Sequence, residues 1–143
     1  MLFRRLGLQK CHLFYFCGIF TLNLKCLSLH VRGLNKSIKR RSIFRWLHKQ
    51  NKDVIFLQET YSSKETAKIW ETEWGGKVLY NYGSSHSKGV MILPNPKLDC
   101  QIDEEVRDKN GRFLSAKITL DDCQIVLANV YAPNDIDTPE LTR

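Results

Sequence analysis

Asp53-Val54-Ile55-Phe56-Leu57-Gln58-Glu59-Thr60 is the stretch on which the fold turns. Its four consecutive large apolar residues are too few for a helix and read as a strand covered on both faces. Upstream, Leu22, Leu24, Cys26, Ser28 and His30 alternate with Leu27, Leu29 and Val31, which predicts a second, largely buried strand. Between the two, Gly33-Leu34-Asn35 turns the chain, and Asn35 is placed to cap a following helix. On that helix Ile43, Trp46, Leu47 and Gln50 share one face, and Arg40, Arg41, Arg45, Lys49 and Lys52 crowd much of the rest. Strand, basic amphipathic helix, strand is a βαβ opening, which favours parallel pairing.

Further along, the spacing predicts a helix over Ser63 to Trp74, with Ser62 or Ser63 as cap and Ala67, Ile69, Trp70 and Trp74 as its apolar positions. Beyond Gly75-Gly76 the pattern changes to short strands near 77–82, 88–93, 98–105, 112–120 and 124–131. Asp121-Asp122 is a hairpin turn signal, so the last two strands should pair antiparallel. Thr138-Pro139-Glu140 reads as a helix start. No repeat, low-complexity tract or linker interrupts the chain.

The 143 residues suit one compact domain, and an apolar share of 43% argues against global disorder. Net charge is +7 and the sequence pI about 9.3. Arg32 to Lys52 holds eight Lys or Arg and no acid, and residues 1–30 add four bases without an acid. Residues 53–143 hold ten bases against fifteen acids, a net of −5. A basic front on an acidic body fits a polyanion partner, with a merely solvated basic helix face as the plainer reading. Arg32, Lys36, Lys39, Arg40, Arg41 and Arg45 are the candidate nucleic-acid-binding residues.

Five scattered cysteines at 11, 17, 26, 100 and 123 form no CxxC pair and no zinc-spaced cluster. They read as reduced thiols of an intracellular protein, nuclear or cytoplasmic. Residues 1–21 are set apart as a leader. Arg4, Arg5 and Lys10 precede the apolar run Cys11 to Phe20, as in a signal peptide, but no Ala-x-Ala-like cleavage site follows. The run is too short for a bilayer, which needs about 20 apolar residues, so no stable membrane insertion is expected.

Three positions gather at strand ends. Glu59 closes the doubly covered strand, where ligands of open α/β sheets collect, and one carboxylate there suits Mg²⁺. A lone strand-end glutamate equally suits a solvent-facing role. Tyr131-Ala132-Pro133-Asn134 ends the last strand, and the Tyr131 hydroxyl and Asn134 amide can both donate to phosphate oxygens. Either residue alone is more often a turn residue serving the backbone. His30 ends the first strand, a position where a packed histidine is commoner than a base. No nucleophile elbow or P-loop occurs.

Taken in order, five strings resemble the endonuclease/exonuclease/phosphatase superfamily, particularly the apurinic-like endonuclease domain of LINE-type retrotransposons. They are Ser28 to Asn35, Asp53 to Thr60, Ser87 to Leu93, Gly111 to Leu114 and Asn129 to Asn134, and the resemblance covers roughly residues 26–143. It implies an α/β (α+β) fold, a two-sheet β-sandwich flanked by helices and built from two similar halves, of which residues 22–143 would be the N-terminal one. It implies Mg²⁺ (or Mn²⁺) as cofactor, DNA as the nucleic-acid partner and nicking as the parent activity. By the same resemblance Glu59 is the metal-binding glutamate, and Tyr131 and Asn134 are the tyrosine and asparagine near the scissile phosphate. His30 stands where the family carries an asparagine of the metal and phosphate network. The family's later Gly-Asp-Phe-Asn-type and Ser-Asp-His-type segments have no counterpart in the sequence. The expectation is therefore a truncated, catalytically incomplete domain that a missing half-domain or self-association could complete. The alternative is a non-catalytic basic nucleic-acid-binding protein.

Overall fold

A computed structural model describes residues 8–17 and 20–132. Its elements are β1 (Leu8–Cys17), β2 (Phe20–His30), α1 (Ser37–Lys49), β3 (Val54–Gln58), α2 (Lys64–Trp74), β4 (Leu79–Asn81), β5 (Val90–Pro94), β6 (Gln101–Arg107), β7 (Phe113–Leu120) and β8 (Cys123–Val130). They form a five-stranded sheet in the order β1-β2-β3-β5-β4 and a three-stranded sheet in the order β6-β7-β8. β2 and β3 pair in parallel, as the βαβ pattern requires, with Leu27 opposite Ile55 and His30 opposite Gln58. That register brings His30 and the residue after Gln58 to one sheet end.

Two apolar cores explain why β2 and β3 carry apolar residues on both faces. Leu27, Leu29, Ile55 and Leu57 face one way, onto Ile43, Phe44 and Leu47 of α1 and Trp70 and Trp74 of α2. Leu24, Cys26, Val54 and Phe56 face the other way, onto Leu114, Ala116, Ile118 and Leu127 of the second sheet. The order of layers is helices, sheet, sheet, an α+β sandwich. Each fully buried side chain such as Leu57 contributes about 2 kcal/mol of apolar transfer energy. β7 buries every second residue, as a strand with one face on a core should.

Some local expectations are corrected and others hold. α1 buries Phe44 together with Ile43 and Leu47, and it also buries Arg40, which the helical wheel had placed among the solvated bases. Its N-cap is Lys36, and Asn35 instead donates from Nδ2 to the Ser85 carbonyl at 3.2 Å. On α2 the cap is Ser63, whose N–H is met by Thr66 Oγ1 at 3.0 Å, while Ile69 is 55% exposed. Asp121 and Asp122 take the paired positive φ values, +46° and +64°, of a tight hairpin, and β7 and β8 pair antiparallel around them. Within the residues set apart as a leader, Leu8–Cys17 is a strand paired antiparallel with β2 along its whole length. The helix start at Thr138 to Glu140 and the candidate Asn134 lie outside the described residues.

Candidate functional site

His30, Glu59 and Tyr131 meet at one rim of the two-sheet stack, although Glu59 and Tyr131 are 72 positions apart. His30 is the last residue of β2, Glu59 follows β3 and Tyr131 follows β8, so three strand ends from both sheets supply them. The Tyr131 hydroxyl donates to Glu59 Oε1. His30 Nε2, shielded from solvent, stands 2.6 Å from Glu59 Oε2, and the His30 ring meets the Tyr131 ring edge-on at 5.4 Å.

A buried polar layer beneath these residues holds the two sheets in register. Asn129 Nδ2 donates to the Leu57 and Met91 carbonyls at 2.9 and 2.8 Å, and its Oδ1 accepts from Gln58 Nε2 at 2.8 Å. Gln58 Nε2 also reaches Ser28 Oγ at 3.0 Å. Sequence reasoning passed over Ser28, Gln58 and Asn129 as site residues. The signal was available: each stands in a strand beside a candidate and breaks its apolar run with a side chain that needs partners.

The Glu59 backbone is in the left-handed region, φ +53°, as are its neighbours Arg32 (+51°), Tyr61 (+58°) and Lys88 (+63°). Gly33 N–H bonds the Glu59 carbonyl at 2.6 Å and Tyr61 N–H bonds the Lys88 carbonyl at 3.0 Å, so these residues brace one another. Non-glycine residues in this region persist only where the surroundings over-determine them, and they concentrate at functional sites.

Burial pushes the Glu59 carboxyl up. The hydrogen bonds from Tyr131 and then His30, with the positive charges of His30 and Arg32, outweigh it and hold the group below its usual value. Burial, the hydrogen bond to Glu59 and the Glu59 charge push the Tyr131 phenol up to about 12, so it is a proton donor at neutral pH. A carboxylate offers roughly four acceptor positions; the Tyr131 hydroxyl takes one on Oε1, and His30 Nε2 stands against Oε2. That leaves acceptor positions open on Glu59, whose side chain is 19% exposed. Among the described residues no group of three or more His, Cys, Asp or Glu converges as a metal cage. A single carboxylate completed by water and substrate phosphate is the donor set Mg²⁺ or Mn²⁺ accepts, and it does not suit a closed zinc site.

The basic stretch divides into three. Arg32, Lys36 and Lys39 line a cavity of about 310 Å³ with Gly33, Asn35, Tyr61 and Ser85. Arg40 points inward: its guanidinium meets Glu73 at 2.6 and 3.0 Å and the carbonyls of Leu34 and Asn35. It also lies 5.4 Å over the Trp70 ring, so it serves the fold and presents nothing to a phosphate. Arg41 and Arg45 open onto a groove beside Phe44, His48 and Glu73, and His48 stacks on Trp74 at 4.1 Å. No helix of the described residues is long and apolar enough to cross a membrane.

The sequence profile of the Endonuclease/Exonuclease/phosphatase family matches residues 20–141. The chain is also 27% identical over 110 residues to the Transposon TX1 uncharacterized 149 kDa protein of Xenopus laevis. That similarity covers 77% of this chain and 8% of the Xenopus protein, so the chain spans only a small part of the length of that relative. With the profile spanning most of the sequence, and with the layered two-sheet architecture in place, the chain belongs to the endonuclease/exonuclease/phosphatase family.

Proposed function

We propose that this chain carries the glutamate side of a divalent-metal phosphodiesterase site of LINE-type retrotransposon origin, whose substrate is DNA. The observation that carries it is the convergence of Tyr131 and His30 on the two oxygens of Glu59, at an end common to both sheets. Glu59 would hold Mg²⁺ or Mn²⁺, which when bound polarises a phosphoryl oxygen and offsets charge on the departing one. Tyr131 orients the carboxylate and keeps a proton available at the rim. With its proton on Nε2, His30 donates to Glu59 and has no lone pair there for a cation, so it orients the carboxylate from the other side. Asn134 would approach the phosphate from beyond the described residues.

Water positioning and transition-state stabilisation need further groups, because one carboxylate supplies little of either. The chain alone is therefore expected to bind metal and nick DNA slowly or not at all. Among the described residues β8 is an edge strand of its sheet, open to pairing with a further strand. Non-catalytic nucleic-acid binding is favoured as a second reading by one observation, the Arg32, Lys36 and Lys39 cavity that contains no acid.

The test uses the full chain and Glu59→Gln. A metal concentration ten times Kd should stabilise the wild type by about 1.4 kcal/mol in thermal melts and leave the variant unmoved. Equal stabilisation of both proteins overturns the metal assignment. Supercoiled-plasmid nicking in the same samples separates the readings. Robust nicking lost in Glu59→Gln would show a working site, while salt-sensitive plasmid binding untouched by the substitution would favour the second reading.

A further inference from the structure

Next to the Glu59 rim, the cavity of about 310 Å³ brings Arg32, Lys36 and Lys39 together, and none of its lining residues is acidic. The three cations are not equivalent. Lys39 Nζ is committed to the backbone, donating to the Val31 carbonyl at 2.6 Å and the Arg32 carbonyl at 3.1 Å. Arg32 and Lys36 form no salt bridge with any acid among the described residues. Burial, then the like charges of Arg32 and Lys36, pull the Lys39 ammonium below its ordinary value. A protein that assembles cations in a concavity without an acid is built for an anion to enter.

Tyr61 forms the aromatic wall, and its placement is enforced. Tyr61 and Arg32 both sit at positive φ, and the Tyr61 ring packs so closely over Gly33 that a Cβ there would collide with it. The opposite wall is held by the Asn35 bond to the Ser85 carbonyl. Tyr61 stands two positions after Glu59, so the aromatic wall of the cavity adjoins the carboxylate. The cavity and the carboxylate therefore share a border, with Tyr61 and Arg32 along it.

We propose that Arg32, Lys36 and Tyr61 form a subsite for the nucleotide next to the phosphodiester held at Glu59, the two cations taking its phosphate and the Tyr61 ring and hydroxyl its base or sugar. This rests on the phosphodiesterase reading and narrows its substrate to one carrying a second phosphate at nucleotide spacing. An isolated phosphomonoester has nothing to place in the cavity. Stacking on an aromatic ring is tolerant of base identity, so the subsite would select polynucleotide over monomer without reading sequence.

The test is fluorescence anisotropy with a fluorescein-labelled 12-base-pair DNA duplex and the full chain in EDTA, where no turnover occurs. Arg32→Asn and Tyr61→Asn remove the side chains with a residue that tolerates positive φ, and Tyr61→Phe keeps the ring. Arg32→Asn should weaken binding about tenfold or more and reduce the slope of log K against log salt by about one. Tyr61→Asn should weaken it at least fivefold with the slope unchanged, and Tyr61→Phe should stay within threefold. Lys97→Ala, at an exposed position between β5 and β6, should change it less than twofold.

Arg32→Asn and Tyr61→Asn binding within twofold of wild type would overturn the subsite. So would a Lys97→Ala loss as large as that of Arg32→Asn, because charge would then be acting diffusely. Thymidine monophosphate competing as well as unlabelled duplex would likewise overturn it, since one phosphate would then suffice. No wild-type binding at low salt overturns both proposals. Glu59→Gln retaining full metal stabilisation overturns only the phosphodiesterase reading, because binding in EDTA tests the cavity alone.

Discussion

Replacing Asn129 with Ala should cost more stability than any other single polar deletion near the rim. Asn129 is 2% exposed and makes three bonds across the interface between the sheets. Its loss removes both donors to the Leu57 and Met91 carbonyls, on residues that are themselves fully buried. A buried carbonyl left without its donor costs about 1–3 kcal/mol, so the two together cost roughly 3 kcal/mol. Gln58 keeps Ser28 Oγ, which holds its share of the loss to less than about 1 kcal/mol. The sum is about 3–4 kcal/mol, a large part of the stability of a domain this size. In thermal melts it corresponds to a fall of about 10 °C. Asn129→Asp should do no better, because a carboxylate has no hydrogen to offer either carbonyl. The assay is urea unfolding followed by the fluorescence of the buried Trp70 and Trp74, with Gln124→Ala, exposed on the same strand, as a control within about 0.5 kcal/mol. An Asn129→Ala protein within about 1 kcal/mol of wild type would refute the claim that this amide stitches the sheets.

Glu73→Gln should destabilise the chain by about 2 kcal/mol at pH 7, because it leaves the 6%-exposed Arg40 charge without its partner. The Arg40 hydrogen bonds hold the Glu73 carboxyl low against the opposing effect of burial, with the charges of Arg40 and Arg41 adding to them. Its folded value thus lies below the ordinary 4.5, so this contribution is present above about pH 4.5 and fades as pH falls further. The gap between urea titrations of wild type and Glu73→Gln should narrow as pH falls below 4.5, and a constant gap between them would contradict the assignment. Gly33→Ala meets two obstacles, a φ of +86° and the Tyr61 ring, and should lower stability by about 2 kcal/mol while displacing Tyr61. A Gly33→Ala protein with an unchanged melt would show that the ring moves away freely.

Much of the local plan is legible in the residues. Val54 to Leu57 could be read as a strand covered twice because both its faces meet apolar neighbours, and the structure places helices on one side and a sheet on the other. The Asp121-Asp122 hairpin was legible because positive φ at two successive positions calls for such residues. The basic stretch was legible as charge, yet its division was not. Read as charge, Arg40 falls among the solvated bases, and only the arrival of Glu73, 33 positions later, makes burying its guanidinium tolerable. The same holds for the Leu8–Cys17 strand, where an apolar run beside bases looks alike in a leader and in a strand until β2 is there to pair with it.

The order of residues was enough to set the elements from β2 onward, their succession, the parallel start and the three strand-end candidates, because periodicity and turn chemistry act over a few positions. It took the packed chain to close Tyr131 onto Glu59, to bridge the sheets through Asn129, and to turn Arg32, Lys36 and Tyr61 toward one cavity. Those outcomes depend on how two sheets stack and on where buried polar groups find partners. Both are properties of the whole molecule, which no short window of residues contains.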